Sequence, residues 1–113
     1  PIGGAKNLNL KYTDSGRIKS ILIASKMLDY SNLEFPFTEF PKGIKVTVFN
    51  EQKEESYITA NYAISYSKSN LIDLIGKVKI ITSDGKKLET EQLYYDQKNE
   101  WFFTQKAPEK VLL

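Results

Sequence analysis

The chain has 113 residues, of which 41% are hydrophobic and 27% charged, and its 16 Lys and Arg residues against 14 Asp and Glu residues leave a formal net charge of +2. This length and composition predict one folded domain over residues 1–113, and the scattered basic residues argue against a nucleic-acid partner. The absence of His removes the usual general base and the commonest zinc ligand, and the absence of Cys excludes disulfides.

The first predicted element is a hairpin. Residues 8–12 alternate between apolar and polar side chains, which is typical of a half-buried strand. Residues 13–16 read Thr-Asp-Ser-Gly, a turn composition, and residues 18–24 are rich in β-branched side chains. Two strands joined by a short turn therefore open the chain.

Strand signals continue through the rest of the chain. Alternating apolar positions recur at Ile44, Val46 and Val48, at Ile58 and Ala60, and at Val78, Ile80 and Leu88. Residues 62–66 and 70–75 are each long enough for a turn of helix, but no window of a dozen residues keeps helical spacing. We predict strands there too, and hence an all-β protein.

The pattern also repeats within the chain. A shift of 36 residues aligns the first predicted hairpin with the second, and shifts of 34 and 30 residues align the second with the two strands of a third. Equivalent positions are Leu10, Val46 and Ile80 in the first strands, and Leu22, Ile58 and Leu88 in the second strands. Because a hairpin cannot bury its apolar face alone, three such units predict a sandwich or jelly roll.

A proline-stiffened aromatic segment, Phe-Pro-Phe at residues 35–37, precedes the second hairpin. Connections at a protein surface are normally polar. We therefore expect this segment to line a mouth of the sandwich or to cover one of its ends.

Charged residues offer only weak candidates for chemistry. Glu89 and Glu91 share one strand face, and this spacing is typical of any solvated face. The acidic residues of a predicted turn, Glu51, Glu54 and Glu55, lack the ligand spacing of a calcium loop. The lysines at positions 77, 79, 86 and 87 indicate either an edge strand whose charges prevent pairing with other chains or a surface that attracts an acidic or phosphorylated ligand. We predict that the chain is not an enzyme and holds no cofactor or metal.

The order of these pieces is more specific than any one of them. The relevant segments are Phe40-Pro41-x-Gly43-Ile44-x-Val46, Leu74-x-Gly76-x-Val78-x-Ile80 and Asp84-Gly85-x-x-Leu88-x-Thr90. Over residues 7–104 the chain resembles the LptC family of periplasmic lipopolysaccharide-export proteins, within the wider OstA-like group. The resemblance implies an antiparallel, twisted β-jelly roll, an open sandwich of repeated hairpins, with no catalysis of its own.

The same resemblance implies a location and partners. Such a domain is expected in the periplasm, tethered to the inner membrane by an N-terminal helix upstream of Pro1. The expected partners are lipopolysaccharide, the jelly-roll domains of an inner-membrane ABC transporter, and a soluble bridge protein of the same fold. Residues 105–113 do not continue the strand pattern, so we expect no further strand there.

The function implied is shelter for the acyl chains of lipid A in an apolar groove. The predicted groove residues are Leu8, Leu10, Leu22, Ala24, Ile44, Val46, Val48, Ile58, Ala60, Val78, Ile80 and Leu88. Two alternatives stay open on the sequence. These residues could form the closed core of an ordinary sandwich, or the protein could bind carbohydrate or protein through its outer face and aromatic loops.

Overall fold

The fold consists of ten strands, seen in a computed structural model that describes residues 3–32, 34–103 and, by backbone alone, 110–112. In chain order they are β1 (Gly3–Asp14), β2 (Arg17–Tyr30), β3 (Phe37–Phe40), β4 (Ile44–Phe49), β5 (Glu55–Ala60), β6 (Tyr62–Tyr66), β7 (Leu71–Ile81), β8 (Lys87–Asp96), β9 (Trp101–Phe103) and β10 (Lys110–Leu112). All pairings are antiparallel. The predicted all-β, jelly-roll-like class is confirmed.

The three predicted hairpins are all present. β1 and β2 are joined through Ser15 and Gly16, both with positive φ, as a tight two-residue hairpin turn requires. β4 and β5 are joined by a turn in which the side-chain oxygen of Asn50 accepts hydrogen bonds from the amides of Gln52 (3.0 Å) and Glu54 (2.9 Å). The third hairpin joins β7 to β8.

Two long strands connect two layers into a closed ring. β2 pairs with β4 through residues 20–23 and with β3 through residues 28–30, while β7 pairs with β6 through residues 72–75 and with β5 through residues 79–81. We call layer 1 the sheet of β1, the first half of β2, β4, β5, the second half of β7 and the first half of β8. Layer 2 is the sheet of the second half of β2, β3, β6, the first half of β7, the second half of β8, β9 and β10.

β7 crosses between the layers at a bulge. Gly76 and Lys77 have φ of 84° and 47°, and the pairing with β8 shifts between Ile75 and Val78. The amide of Asn61 donates to the carbonyl of Gly76 at 2.9 Å, so the bend is anchored by the β5–β6 connection. An extra residue of this kind bends a strand and increases its twist.

The core lies between the two layers. Layer 1 contributes residues such as Val46 and Ile58, and layer 2 contributes Ala63, Leu74 and Phe102; each of these five is 0% exposed. All belong to one continuous cluster. Among the described residues, no helix is long and apolar enough to cross a membrane.

Two expectations from the sequence are wrong. Phe35 is 80% exposed and covers nothing, Phe37 lies in β3 stacked on Tyr30 with ring centroids 4.6 Å apart, and the buried aromatic of this region is Phe40 at 2%. The C-terminal segment does form a strand, since Lys110–Leu112 pairs with β9. Residues 105–109 and residue 113 of that segment lie outside the described residues.

Candidate functional site

Six of the predicted groove residues form one continuous row across layer 1. Each is the direct pairing partner of the next, in the order Leu10, Leu22, Val46, Ile58, Ile80 and Leu88. Five steps between neighbouring strands, at about 4.8 Å each, make this central row about 24 Å long. The row collects the equivalent position from both strands of all three hairpins, so the internal repeat explains its continuity.

The ends and the centre of the central row differ in exposure. Leu10 on β1 is 42% exposed and Leu88 on β8 is 43% exposed, whereas the four residues between them are at most 5% exposed. The centre packs into one cluster with Phe40, Leu74 and other side chains of layer 2. The edge strands extend beyond that cover. The apolar face of layer 1 is therefore buried in its middle and accessible at both margins.

The other predicted groove residues lie around the central row. Ala24, Ile44, Val48, Ala60 and Val78 are buried, with 0–8% exposure, and Leu8 is partly buried against the core. The structure thus brings all twelve residues to one side of layer 1. Nine of them are closed off from solvent in this conformation.

A small cavity opens beside the β1 end of the central row. It has a volume of about 220 Å³ and lies between layer 1, including Leu10, Tyr12 and Leu22, and layer 2, including Phe40 and Ile72. Small-molecule sites usually measure about 300–1,000 Å³. This cavity marks the place where the layers diverge, and it would have to widen to admit a long hydrocarbon chain.

An ion pair ties the two layers together at the same end. Lys19 Nζ lies 3.5 Å from Glu100 Oε1, and the side chains are 17% and 20% exposed. Lys19 is the extra residue where the β1–β2 register shifts between Tyr12 and Thr13, and Glu100 lies in the β8–β9 turn. The bulge therefore places a cation where it can join β2 to layer 2.

Tyr95 places a polar group beside this ion pair. It is 1% exposed and stacks on Phe102 with centroids 4.8 Å apart, and its hydroxyl lies near Ser20 without forming a hydrogen bond of standard geometry to a described residue. Burial, together with the negative charge of Glu100, raises the pKa of Tyr95 well above its usual value. The hydroxyl is consequently neutral in the folded protein at any ordinary pH.

Four of the charged residues singled out in the sequence lie together, two of each sign. Lys77, Lys79, Glu89 and Glu91 line one shallow surface hollow, in which Lys79 of β7 lies opposite Glu89 of β8 in the strand register. An anionic ligand would meet as many carboxylates as ammonium groups there. Within the described ranges, no three acidic side chains come together in a way that could hold a metal ion.

Sequence reasoning missed the parts of the site that depend on contacts between layers. Neither the Lys19–Glu100 pair nor the covering role of Phe40, Tyr95 and Phe102 was expected. The alternation of buried Leu93 and Tyr95 in β8 was a usable signal for the cover. The partners across the layers have no signature in local sequence.

Comparison with known proteins agrees with this architecture. No curated protein matches the chain significantly. The model of one family does match, described as lipopolysaccharide-assembly, LptC-related, and it covers residues 5–108. Since nearly the whole chain, including every residue of the central row, lies within that match, the protein belongs to the LptC-related family of lipopolysaccharide assembly, whose members act in lipopolysaccharide export.

Proposed function

We propose that this domain is a bridge component that shelters the acyl chains of lipid A along the central row. It would receive them from an inner-membrane ABC transporter and pass them to the next bridge protein. The observation that carries the proposal is the unbroken apolar row from exposed Leu10 to exposed Leu88, which runs across all six strands of layer 1.

The physical need for such a row follows from the cargo. Each methylene group exposed to water costs about 0.8 kcal/mol, so several acyl chains crossing an aqueous gap carry a penalty of tens of kcal/mol. A row without a polar interruption offers each segment of a chain an apolar neighbour. The exposed leucines at its two margins supply positions at which a chain can enter and leave.

Loading requires the layers to part. The four central residues of the row are covered by layer 2, and the cavity beside Leu10 is too small for a long chain. Entry would begin at this cavity and proceed by displacing layer 2 from layer 1. The Lys19–Glu100 pair spans the two layers there, so it would open with them.

Edge strands support contact with neighbouring jelly rolls. Within the described residues, β1 pairs only with β2 and β10 pairs only with β9, so each presents one free edge. Free backbone donors and acceptors at a sheet edge can pair with a strand of another protein. Such pairing would align the groove of this domain with that of its neighbours.

The family also implies a location and a mode of action. LptC proteins face the periplasm, are anchored to the inner membrane, and act in transport without catalysis. We propose the same location for this domain, with lipopolysaccharide and other export components as its partners. The energy for movement would come from the transporter.

Site-specific photocross-linking in cells tests the proposal. A photoreactive residue at Leu10, Val46 or Leu88 should give an adduct with lipopolysaccharide, because these positions sample both ends and the centre of the central row. Lys45 is the matched control, since it neighbours Val46 on β4 but is exposed on the opposite face. Adducts at Lys45 with none at the three row positions would overturn the proposal.

A further inference from the structure

The outer face of layer 2 carries an unusual concentration of aromatic side chains. Seven of the fourteen aromatic residues of the chain lie at its outward positions, which alternate with the core residues of the same strands. These are Tyr30, Phe37, Tyr62, Tyr66, Tyr94, Trp101 and Phe103. Aromatic residues are normally used to fill a core, because each buries about 150–250 Å².

These residues form one connected surface, which we call the aromatic face. Tyr30 stacks on Phe37 at 4.6 Å, and Phe37 pairs in register with Tyr66. Tyr94 stacks on Phe103 at 5.2 Å at the other side of the layer. Ile64, the outward residue of β6 next to Tyr66, pairs in register with Asp73, and Asp73 pairs with Tyr94, so the register connects the two stacked pairs.

The charged side chains in the middle of the aromatic face are acidic, and one cation, Lys26, lies on the same outward side of β2 at the margin of this face. The acidic residues are Glu39, Asp73 and Asp96, and the outward positions described for this part of β3, β6, β7, β8 and β9 include no Lys or Arg. Glu39 accepts a hydrogen bond from the hydroxyl of Tyr62, and Asp73 accepts one from Gln92 Nε2 at 2.7 Å. Neither has an ion pair with another described residue, and Asp73 lies on β7, away from the β2 margin that carries Lys26.

The opposite outer face shows that this is not a general property of the protein. On layer 1 the outward positions include Lys11, Lys45, Lys79 and Lys87 beside exposed isoleucines such as Ile23 and Ile81. An anionic membrane surface would be repelled by the aromatic face. The stacked pairs also use their ring faces on each other, which leaves edges and hydroxyl groups outward rather than flat platforms for sugar rings.

With membranes and sugars disfavoured, the remaining kind of partner is a protein, and protein interfaces have a composition that matches this face. Their centres are enriched in Tyr, Trp and Phe and poor in charge, and a contiguous apolar patch on a sheet marks a contact site. A cation that enters such a patch gains from a carboxylate and from the faces or edges of tyrosine rings nearby. Glu39 and Asp73, neither of which forms an ion pair with a described residue, therefore favour a basic partner.

We propose that the aromatic face docks a protein partner whose contacting segment carries Lys or Arg side chains between apolar ones. Glu39 and Asp73 receive the cations, and the rings around Tyr66 receive the apolar groups. This surface lies on the outside of layer 2, whereas the central row lies on the inside of layer 1. The two sites can be occupied at the same time and can fail separately.

The test is photocross-linking in cells with a photoreactive residue at Tyr66, followed by sequencing of the partner peptide in the adduct. Tyr57 is the matched control, because it is a partly exposed tyrosine on the outer face of layer 1. We expect an adduct at Tyr66 and not at Tyr57, with Lys or Arg and apolar residues in the partner segment. Asp73→Lys should lower the yield at least about tenfold, which corresponds to about 1.4 kcal/mol.

The requirement for opposite charges is tested by exchanging them between the two proteins. Reversal of the cross-linked partner's cation to Asp or Glu should recover the yield with the Asp73→Lys variant, while Asp73→Asn should give an intermediate loss. A folded Asp73→Lys variant with an unchanged adduct would overturn the proposal. So would an adduct to a second copy of this chain, to a lipid or saccharide, or to a segment without a cation. Cross-linking of lipopolysaccharide at Leu10 is scored separately and decides only the transport proposal.

Discussion

The centre and the ends of the central row contain the same kind of residue in very different environments. Ile58 and Val46 are 0% exposed, while Leu10 and Leu88 are more than 40% exposed, although all four alternate with polar neighbours in the same way. The difference arises because layer 2 covers the middle strands of layer 1 and not its edges. Identical local patterns thus supply stability at the centre and access at the margins.

This division makes a transport role compatible with a stable fold. A groove exposed along its whole length would forfeit the burial that a domain of this size needs. A groove buried along its whole length would present nothing to a lipid. The structure keeps the centre closed and leaves the ends available, so we expect loss of stability and loss of access to map to different residues of one row.

The largest effect is expected at the centre. Ile58→Ala should lower the free energy of unfolding by about 2–5 kcal/mol, because it leaves a cavity in a close-packed site. Leu88→Ala should cost about 1 kcal/mol or less, since much of that side chain is already in water. Urea denaturation of both variants measures the two losses. Equal losses would mean that the margins of the row are packed as firmly as its centre.

An effect nearly as large is expected where layer 2 joins the strands of the central row. Gly43 connects β3 of layer 2 to β4 of layer 1 with φ of 88°, and a Cβ there would lie 2.4 Å from the carbonyl oxygen of Ala60. Gly43→Ala should therefore cost about 1–3 kcal/mol from backbone strain and more from the contact. Gly85 is the matched control, because its φ is 89° but a Cβ would meet nothing within 4 Å.

The comparison of these two glycines by thermal denaturation separates strain from crowding. Gly85→Ala should show the strain alone, and Gly43→Ala should show a lower melting temperature than Gly85→Ala. A matching decrease in both variants would contradict the view that the β3–β4 connection is packed tightly against β5.

The smallest effect is expected at Tyr95, near the opening beside Leu10. Tyr95→Phe should change stability at pH 7 by less than about 1 kcal/mol, because the buried hydroxyl that it removes forms no hydrogen bond of standard geometry, even to nearby Ser20. The pKa of Tyr95 is raised in the folded state. The stability contributed by burial of its neutral side chain is therefore complete below about pH 10 and is lost as the pH rises further. Stability measured from pH 7 to 11 should fall less steeply for the variant. A large loss at pH 7 would indicate that the hydroxyl is bonded.

Much of the fold was predictable because it is local. The turn at Ser15 and Gly16, the alternation at Val46 and Val48, and the repeat that relates the three hairpins are all written in short segments. Strand rather than helix for residues 62–66 also followed from local spacing. The burial of Phe40 and the exposure of Phe35 did not, since both belong to one aromatic segment and only the packing of the layers decides that Phe40, at the end of β3, reaches the core while Phe35, before β3, lies in solvent.

The sequence by itself determined the strands, the three hairpins and the apolar side of each, because a period of two and the turn residues act within a few positions of the chain. Only the tertiary structure decided which apolar residues are covered, where Lys19 meets Glu100, and that seven aromatic rings share an outer face. Those outcomes depend on strands that are distant in sequence and adjacent in space. A local pattern specifies which side of a strand is apolar, but the neighbouring layer determines whether that side meets protein or water.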